Sequence, residues 1–323
     1  MTRRCIAVAA AAIVVLSPAG CSGSDGAESD TDSRPAPPRQ TVAFVTHQAP
    51  SDTFWDLVRR GAEAAADQHG LELQYLHDPD PAIQARHVVE ATEHQVSGLA
   101  VTLATPEPLA DSVRAAVAAE IPVMAVNSGI GVWRELGVLA YFGQDDGVAG
   151  QEVGRRLDRE SALNVLCVIQ DRGHVGLESR CDGAAQTFSG VTDRLYVDGT
   201  RPQEIKADLI NRLQQDRSID RVLTLSAPVA LTALQAIGEA NSYAKVVTFD
   251  TNTAVIEAVT RGTIEWAVDQ QPFLQGYLAV DALWLYLTNK NIIGGGLPTL
   301  TGPSFVDESN VDAVAERAEE GTR

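Results

Sequence analysis

Positive charge is scarce in this chain of 323 residues. Its 25 Lys and Arg face 43 Asp and Glu, for a formal net charge of −18. A nucleic-acid binder needs a basic face for phosphates, so that class is excluded. Cysteine is also rare. Cys5, Cys21, Cys167 and Cys181 are too scattered for a disulfide scaffold, and no CxxC spacing offers a zinc site. The sequence has no GxxxxGK[ST] phosphate loop and no GxGxxG after its first strand. It lacks the GxSxG elbow of a hydrolase and the HExxH of a metalloprotease. His87 and His94 share a helix face without metal-motif spacing and read as surface residues. No apolar run reaches the length of about 20 residues that a membrane helix needs. No metal, cofactor or catalytic constellation is expected.

What is present begins at the N-terminus. Met1-Thr2-Arg3-Arg4 is a basic segment, Cys5 to Leu16 is apolar, and Ser17-Pro18-Ala19-Gly20-Cys21 follows. This layout predicts an export signal over 1–20. The small residues before Cys21 resemble a lipoprotein signal, in which that cysteine carries lipid and anchors the exported protein to the membrane. Pro18 stands where such signals usually have Leu, and cleavage after Ala19 is the alternative. Residues 21–40 are rich in Ser, Gly, Asp and Pro and predict a disordered tether. The charged residues 312–323 predict a frayed helix or flexible tail.

From Thr41 onward the apolar pattern alternates between strand-type runs and helical spacing. Val42–Val45, Leu71–Leu76, Gly98–Leu103, Ile121–Val126 and Val138–Phe142 read as strands. So do Leu163–Ile169, Leu195–Val197, Arg221–Leu225, Lys245–Phe249 and Thr263–Val268. Helical segments fall between them. The alternation predicts an α/β protein with parallel sheets covered on both faces, in two lobes. Phe273–Leu287 is apolar nearly all round and reads as a buried helix. In such sheets ligands bind beyond the carboxyl ends of the strands. The residues there, Gln170-Asp171 among them, are mostly polar and uncharged with a few carboxylates, and predict a nearly neutral cleft that recognises hydroxyls.

Those stations carry a family resemblance. Asp52-Thr53-Phe54-Trp55-Asp56 followed by Arg60-Gly61-Ala62 resembles the first loop and helix of type I periplasmic binding proteins of the ribose- and galactose-binding type. Asn127-Ser128, Glu178-Ser179-Arg180-Cys181-Asp182-Gly183, Thr248-Phe249-Asp250, Asp269-Gln270-Gln271-Pro272 and Leu300-Thr301-Gly302-Pro303 match further stations in order. The resemblance covers roughly residues 41–311. It implies two Rossmann-like lobes joined by three hinge crossovers, near Gln144, Gln271 and Thr301. The lobes would be 41–144 plus 271–300, and 145–270 plus 301–311.

The resemblance also implies a function. The protein would be a monomeric receptor that captures a neutral sugar or polyol between its lobes. It would pass that ligand to the permease of an ABC import system, or relay its closure to a membrane partner as a sensory co-receptor. The expected ligand-binding residues are Asp52, Phe54, Trp55, Asn127, Arg180, Ser226, Asp250 and Gln270, with His47 and Ser128 also at strand ends. Flat aromatic faces suit C–H surfaces, and amides, carboxylates and a guanidinium suit hydroxyls. Ribose-binding members have Asp-Arg in place of Asn127-Ser128 and Asn in place of Ser226. The pentose set is therefore incomplete, which leaves room for a hexose, a polyol or a cyclitol. In an exported protein Cys167 and Cys181 can pair as a disulfide.

Overall fold

The computed structural model describes residues 39–50 and 52–323. The export signal, Cys21 and the tether as far as residue 38 lie outside the described residues. The first half of the chain forms β1 (Thr41–Thr46), α1 (Phe54–His69), β2 (Glu72–His77), α2 (Pro81–Glu93), β3 (Gly98–Thr102), α3 (Pro106–Ala118), β4 (Val123–Asn127) and β5 (Ala140–Gln144). The second half repeats the theme with α4 (Asp146–Arg159), β6 (Asn164–Ile169), α5 (Val175–Thr187), β7 (Val191–Tyr196), α6 (Pro202–Gln215), β8 (Arg221–Thr224), α7 (Ala227–Ala240), β9 (Lys245–Phe249), α8 (Thr253–Thr260) and β10 (Ile264–Asp269). It closes with α9 (Pro272–Asn289), β11 (Thr299–Gly302), β12 (Ser304–Asp307) and α10 (Val311–Glu319).

Among the described residues these strands make two six-stranded sheets. Their orders are β11-β5-β4-β3-β1-β2 and β12-β10-β9-β8-β6-β7. Each sheet is covered on both faces, so the central strands β3, β4 and β6 are buried along their whole length. Helix starts follow local chemistry. Asp80 accepts from Ala82 N at 2.8 Å with Pro81 at the first helical position of α2. Asp145 caps α4 by accepting from Val148 N at 3.0 Å.

The chain passes between the sheets three times. It leaves the first after Gln144, returns between Asp269 and Pro272, and leaves again between Gly302 and Ser304. β12 is antiparallel to β10, although the periodicity suggests parallel pairing throughout. β10 runs toward the hinge and β12 runs away from it, so the direction follows from the crossover. Each lobe also has one helix pair in unusually close approach. A Cβ on Gly276 of α9 would lie 1.9 Å from the Val58 carbonyl oxygen of α1, and one on Gly150 of α4 would lie 2.3 Å from that of Arg180 on α5.

Two features bear on the sequence expectations. A disulfide joins Cys167 of β6 to Cys181 of α5, with Cα atoms 6.1 Å apart inside the second lobe's core. The C-terminal segment, read as a frayed helix or flexible tail over 312–323, forms the helix α10 as far as Glu319. Val311, Val314, Ala315 and Ala318 recur at helical spacing and pack on the core that holds Ile256 and Val259 of α8. Beyond α10, Arg323 reaches back to the hinge, with Nη2 2.7 Å from the buried Asp269 Oδ2. Few, small apolar residues do the anchoring, so the surrounding charge hides the stripe.

Candidate ligand-binding cleft

The carboxyl ends of both sheets open onto one cleft of about 490 Å³. The eight expected residues all reach its wall. Asp52, Phe54 and Trp55 come from the loop after β1 and the first turn of α1. Asn127 ends β4, Arg180 lies on α5, and Ser226 precedes α7. Asp250 follows β9, and Gln270 follows β10 at the second crossover.

The aromatic pair does two jobs at once. Phe54 and Trp55 sit edge to face with centroids 5.1 Å apart, and both are buried at the cleft wall. Trp55 also meets the His47 ring edge to face at 4.7 Å. Two adjacent helix residues diverge by about 100°, so one cannot stack on the other.

A buried amide network ties the lobes at the hinge. Asn127 Nδ2 donates to Gln270 Oε1 at 3.3 Å and to Gln275 Oε1 at 3.1 Å. Gln270 Nε2 donates to Asp250 Oδ1 at 2.5 Å. Gln275 Nε2 donates to the Gln270 carbonyl at 2.9 Å, as does Thr301 Oγ1 at 2.7 Å. Tyr141 Oη donates to the Asn127 carbonyl at 2.6 Å. Ser128 does not line the cleft; its hydroxyl donates to Asn127 Oδ1 at 2.8 Å. Ser226 stands before α7, yet its hydroxyl does not cap that helix and stays available at the wall.

The guanidinium of Arg180 is fixed from below. Its Nε donates to Asp146 Oδ1 at 2.8 Å, and its Nη1 donates to the Leu225 carbonyl at 3.3 Å. The cation lies over the Phe249 ring at 4.6 Å. Burial works against this charge, and Asp146 and Asp250 more than offset it, so the guanidinium holds its proton tightly.

The cleft is not nearly neutral, as the strand-end residues suggest. Among the described residues, Asp52, Asp171, Asp198 and Asp250 face it against Arg180 alone. Burial pushes the Asp52 carboxyl up to about 6, with Asp56 adding to the shift. Burial likewise pushes Asp250 up to about 7, and Arg180 and Gln270 only partly counter it. Each carboxyl already accepts one bond, Asp52 Oδ1 from Phe54 N at 3.2 Å and Asp250 Oδ1 from Gln270 Nε2 at 2.5 Å, and both line one space with a fork of donors from Arg180 beside them. That arrangement suits a ligand with several hydroxyl donors and some acceptors.

Further residues line this wall. Gln170, Asp171 and His174 also face the cleft. Gln170 and Asp171 follow β6 directly, where the strand-end rule places them, although they stand outside the expected ligand-binding set. His174 caps α5 and gave no local signal, because its partner His47 is 127 residues away.

Comparison with known proteins agrees with this geometry. A profile of the periplasmic binding protein domain matches residues 42–291. A crystal structure of a carbohydrate transporter from Acidothermus cellulolyticus, in complex with myo-inositol, is 50% identical with a TM-score of 0.87. That match covers 88% of this chain and 100% of that one. The xylose/arabinose-binding protein of Sulfolobus acidocaldarius is 22% identical over 86% of this chain and 73% of its own length. The ribose import binding protein of Haemophilus influenzae is 24% identical over 75% of this chain and 84% of its own. By fold, cleft and matched residues, the chain belongs to the periplasmic binding protein domain family, with the two-lobed architecture of its sugar-binding type I members.

Proposed function

We propose that this protein captures a neutral cyclic polyol, a cyclitol of the myo-inositol kind, and delivers it to the permease of an ABC import system. The observation that carries the reading is the meeting of Asp52, Asp250 and Arg180 with the Phe54–Trp55 pair in one interlobe cleft. A cyclitol presents hydroxyls around its whole rim and C–H groups on its faces. The carboxylates accept from vicinal hydroxyls, Arg180 donates, and Asn127, Ser226 and Gln270 do both. The 50% identical transporter was solved with myo-inositol, which favours a cyclitol over a pentose. Ligand contacts with both lobes favour the closed arrangement, and closure prepares the surface that a permease recognises. No catalytic step is assigned to the cleft.

Lipid on Cys21 would hold the receptor at the outer face of the membrane. A Cys21→Ser variant is then released into the soluble exported fraction. Retention of that variant on the membrane argues against the anchor.

A thermal-shift panel of cyclitols, hexoses, linear polyols, pentoses, nucleosides and amino acids tests the ligand class. A ligand at 100 times its dissociation constant stabilises by about 2.7 kcal/mol. Myo-inositol or a stereoisomer gives the largest shift. A panel in which only pentoses, nucleosides or amino acids shift the transition contradicts the reading.

A further inference from the structure

Two histidines meet across the cleft. His47 follows β1 in the first lobe, and His174 caps α5 in the second. Their Nε2 atoms are 3.1 Å apart, with ring centroids at 4.9 Å. Beside them Val175 N donates to the Ala104 carbonyl at 3.0 Å, which also links the lobes.

The backbone donors on His174 fix its proton, and a bond between the rings then sets that of His47. His174 Nδ1 accepts from Gly176 N at 3.1 Å and Leu177 N at 3.4 Å. A neutral imidazole that accepts at Nδ1 carries its proton on Nε2. That Nε2–H therefore donates to His47 Nε2, which must be bare. A bond between the rings then requires the His47 proton on Nδ1, 2.8 Å from Thr102 Oγ1, a hydroxyl that also accepts from His47 N at 3.2 Å. Thr102 is itself held by Gln84, whose Nε2 donates to its hydroxyl at 3.0 Å and its carbonyl at 2.9 Å.

Only two neutral rings satisfy this chain. A proton added to His47 Nε2 points at the His174 N–H. A proton added to His174 Nδ1 faces two backbone donors and the positive end of α5. We infer that His47 and His174 are a positioning pair that latches the lobes shut while both are neutral and releases them when either is protonated.

The surroundings support the direction. The charged and titratable groups facing the same cleft are Asp52 before α1, Asp171 after β6, Arg180 on α5, Asp198 after β7 and Asp250 after β9. Tyr75 on β2 adds a neutral phenol, hydrogen-bonded to Gln48 beside His47. Burial lowers the His47 imidazole well below its usual range, with His174 and Arg180 adding to the effect. Burial also lowers His174 to about 3, again with Arg180 adding to it. Rings that open to water regain a value near 6.5. The open form thus takes up protons that the closed form refuses, and acid drives the lobes apart. Each histidine contributes about tenfold to the closure constant per pH unit below roughly 6.5.

The inference uses the proposed ligand only as a probe. The full chain is followed by small-angle X-ray scattering without ligand, and by calorimetric titration of myo-inositol, from pH 7.5 to pH 5.5. His174→Asn keeps an oxygen to cap α5 but cannot reach His47. His47→Gln leaves the α5 cap untouched and does not titrate. In wild type the radius of gyration rises and the affinity falls toward pH 5.5. The affinity loss exceeds that of either variant by about tenfold or more. One shared pH profile for wild type and variants in both measurements overturns the latch. Absence of heat with myo-inositol at every pH defeats the ligand assignment instead, and the ligand-free scattering then decides the latch alone.

Discussion

Asn127 and Asp250 occupy equivalent stations of the two lobes. β4 and β9 are each third in their sheets, and each of these residues stands at the strand's carboxyl end. Both have left-handed backbones, with φ of 65° and 66°. Asn and Asp tolerate that region better than other residues with a Cβ. The turn brings each side chain to the cleft wall, where Gln270 joins them, accepting from Asn127 at 3.3 Å and donating to Asp250 at 2.5 Å. One amide at the hinge thus couples the two lobes through matching positions.

The Asp250 carboxyl is the first place to test the electrostatics. Its pKa is raised to about 7 by burial, so the folded ligand-free protein keeps a proton that the unfolded chain gives up near pH 4. The sign follows: free-protein stability falls as pH rises from about 4 to about 7. Asp250→Asn removes that loss while tolerating the left-handed turn. Urea denaturation should find the variant more stable than wild type at pH 8 by about 1 kcal/mol or more, with the gap closing near pH 4.5. Its affinity for a polyol falls by tenfold or more, because a neutral amide is the weaker acceptor.

Asp146 holds Arg180 without lining the cleft itself. Both side chains are almost wholly buried, and their Nε–Oδ1 distance is 2.8 Å. Asp146→Ala leaves the guanidinium buried and unpaired. The expected cost is about 3 kcal/mol or more in chemical denaturation, with polyol affinity falling as Arg180 loses its orientation.

The close approach of α1 and α9 predicts intolerance at Gly276. Its added Cβ would meet the Val58 carbonyl oxygen at 1.9 Å, a backbone atom that no rotamer change relieves. Gly276→Ala should cost about 2 kcal/mol or more by differential scanning calorimetry. The same change at Gly238, where nothing lies within 4 Å, should cost nothing and gain helix propensity.

Reduction of the Cys167–Cys181 disulfide frees a link across 14 residues. Loop-closure entropy puts its worth at about 3 kcal/mol. Melting with and without reductant should show a lower transition for the reduced protein. Ligand affinity should change little, since neither cysteine lines the cleft.

The central strands were legible because they are buried on both faces and read as short apolar runs. Gly98–Thr102 and Asn164–Ile169 are examples. The edge strand β7 was harder. Residues Val191–Tyr196 include Thr192, Asp193 and Arg194, so the apolar signal placed the strand at Leu195–Val197. Within the site, residues directly after strands could be found from topology alone. Gln275 could not, and Thr301 stood out only as a hinge crossover, because their bonds to Gln270 are made by the fold. His174 escaped for the same reason. The carboxylates of the cleft were legible in part: Asp52 and Asp250 are expected site residues and Asp171 stands at a strand end, whereas Asp198, in the loop after β7, carried no such signal.

Calorimetric titration of myo-inositol into the wild-type protein and Asp250→Ala at pH 7.5 tests the central claim most directly. The account predicts one site per chain in wild type and an affinity loss of at least tenfold in the variant. No binding to wild type, or equal binding to both proteins, would contradict it.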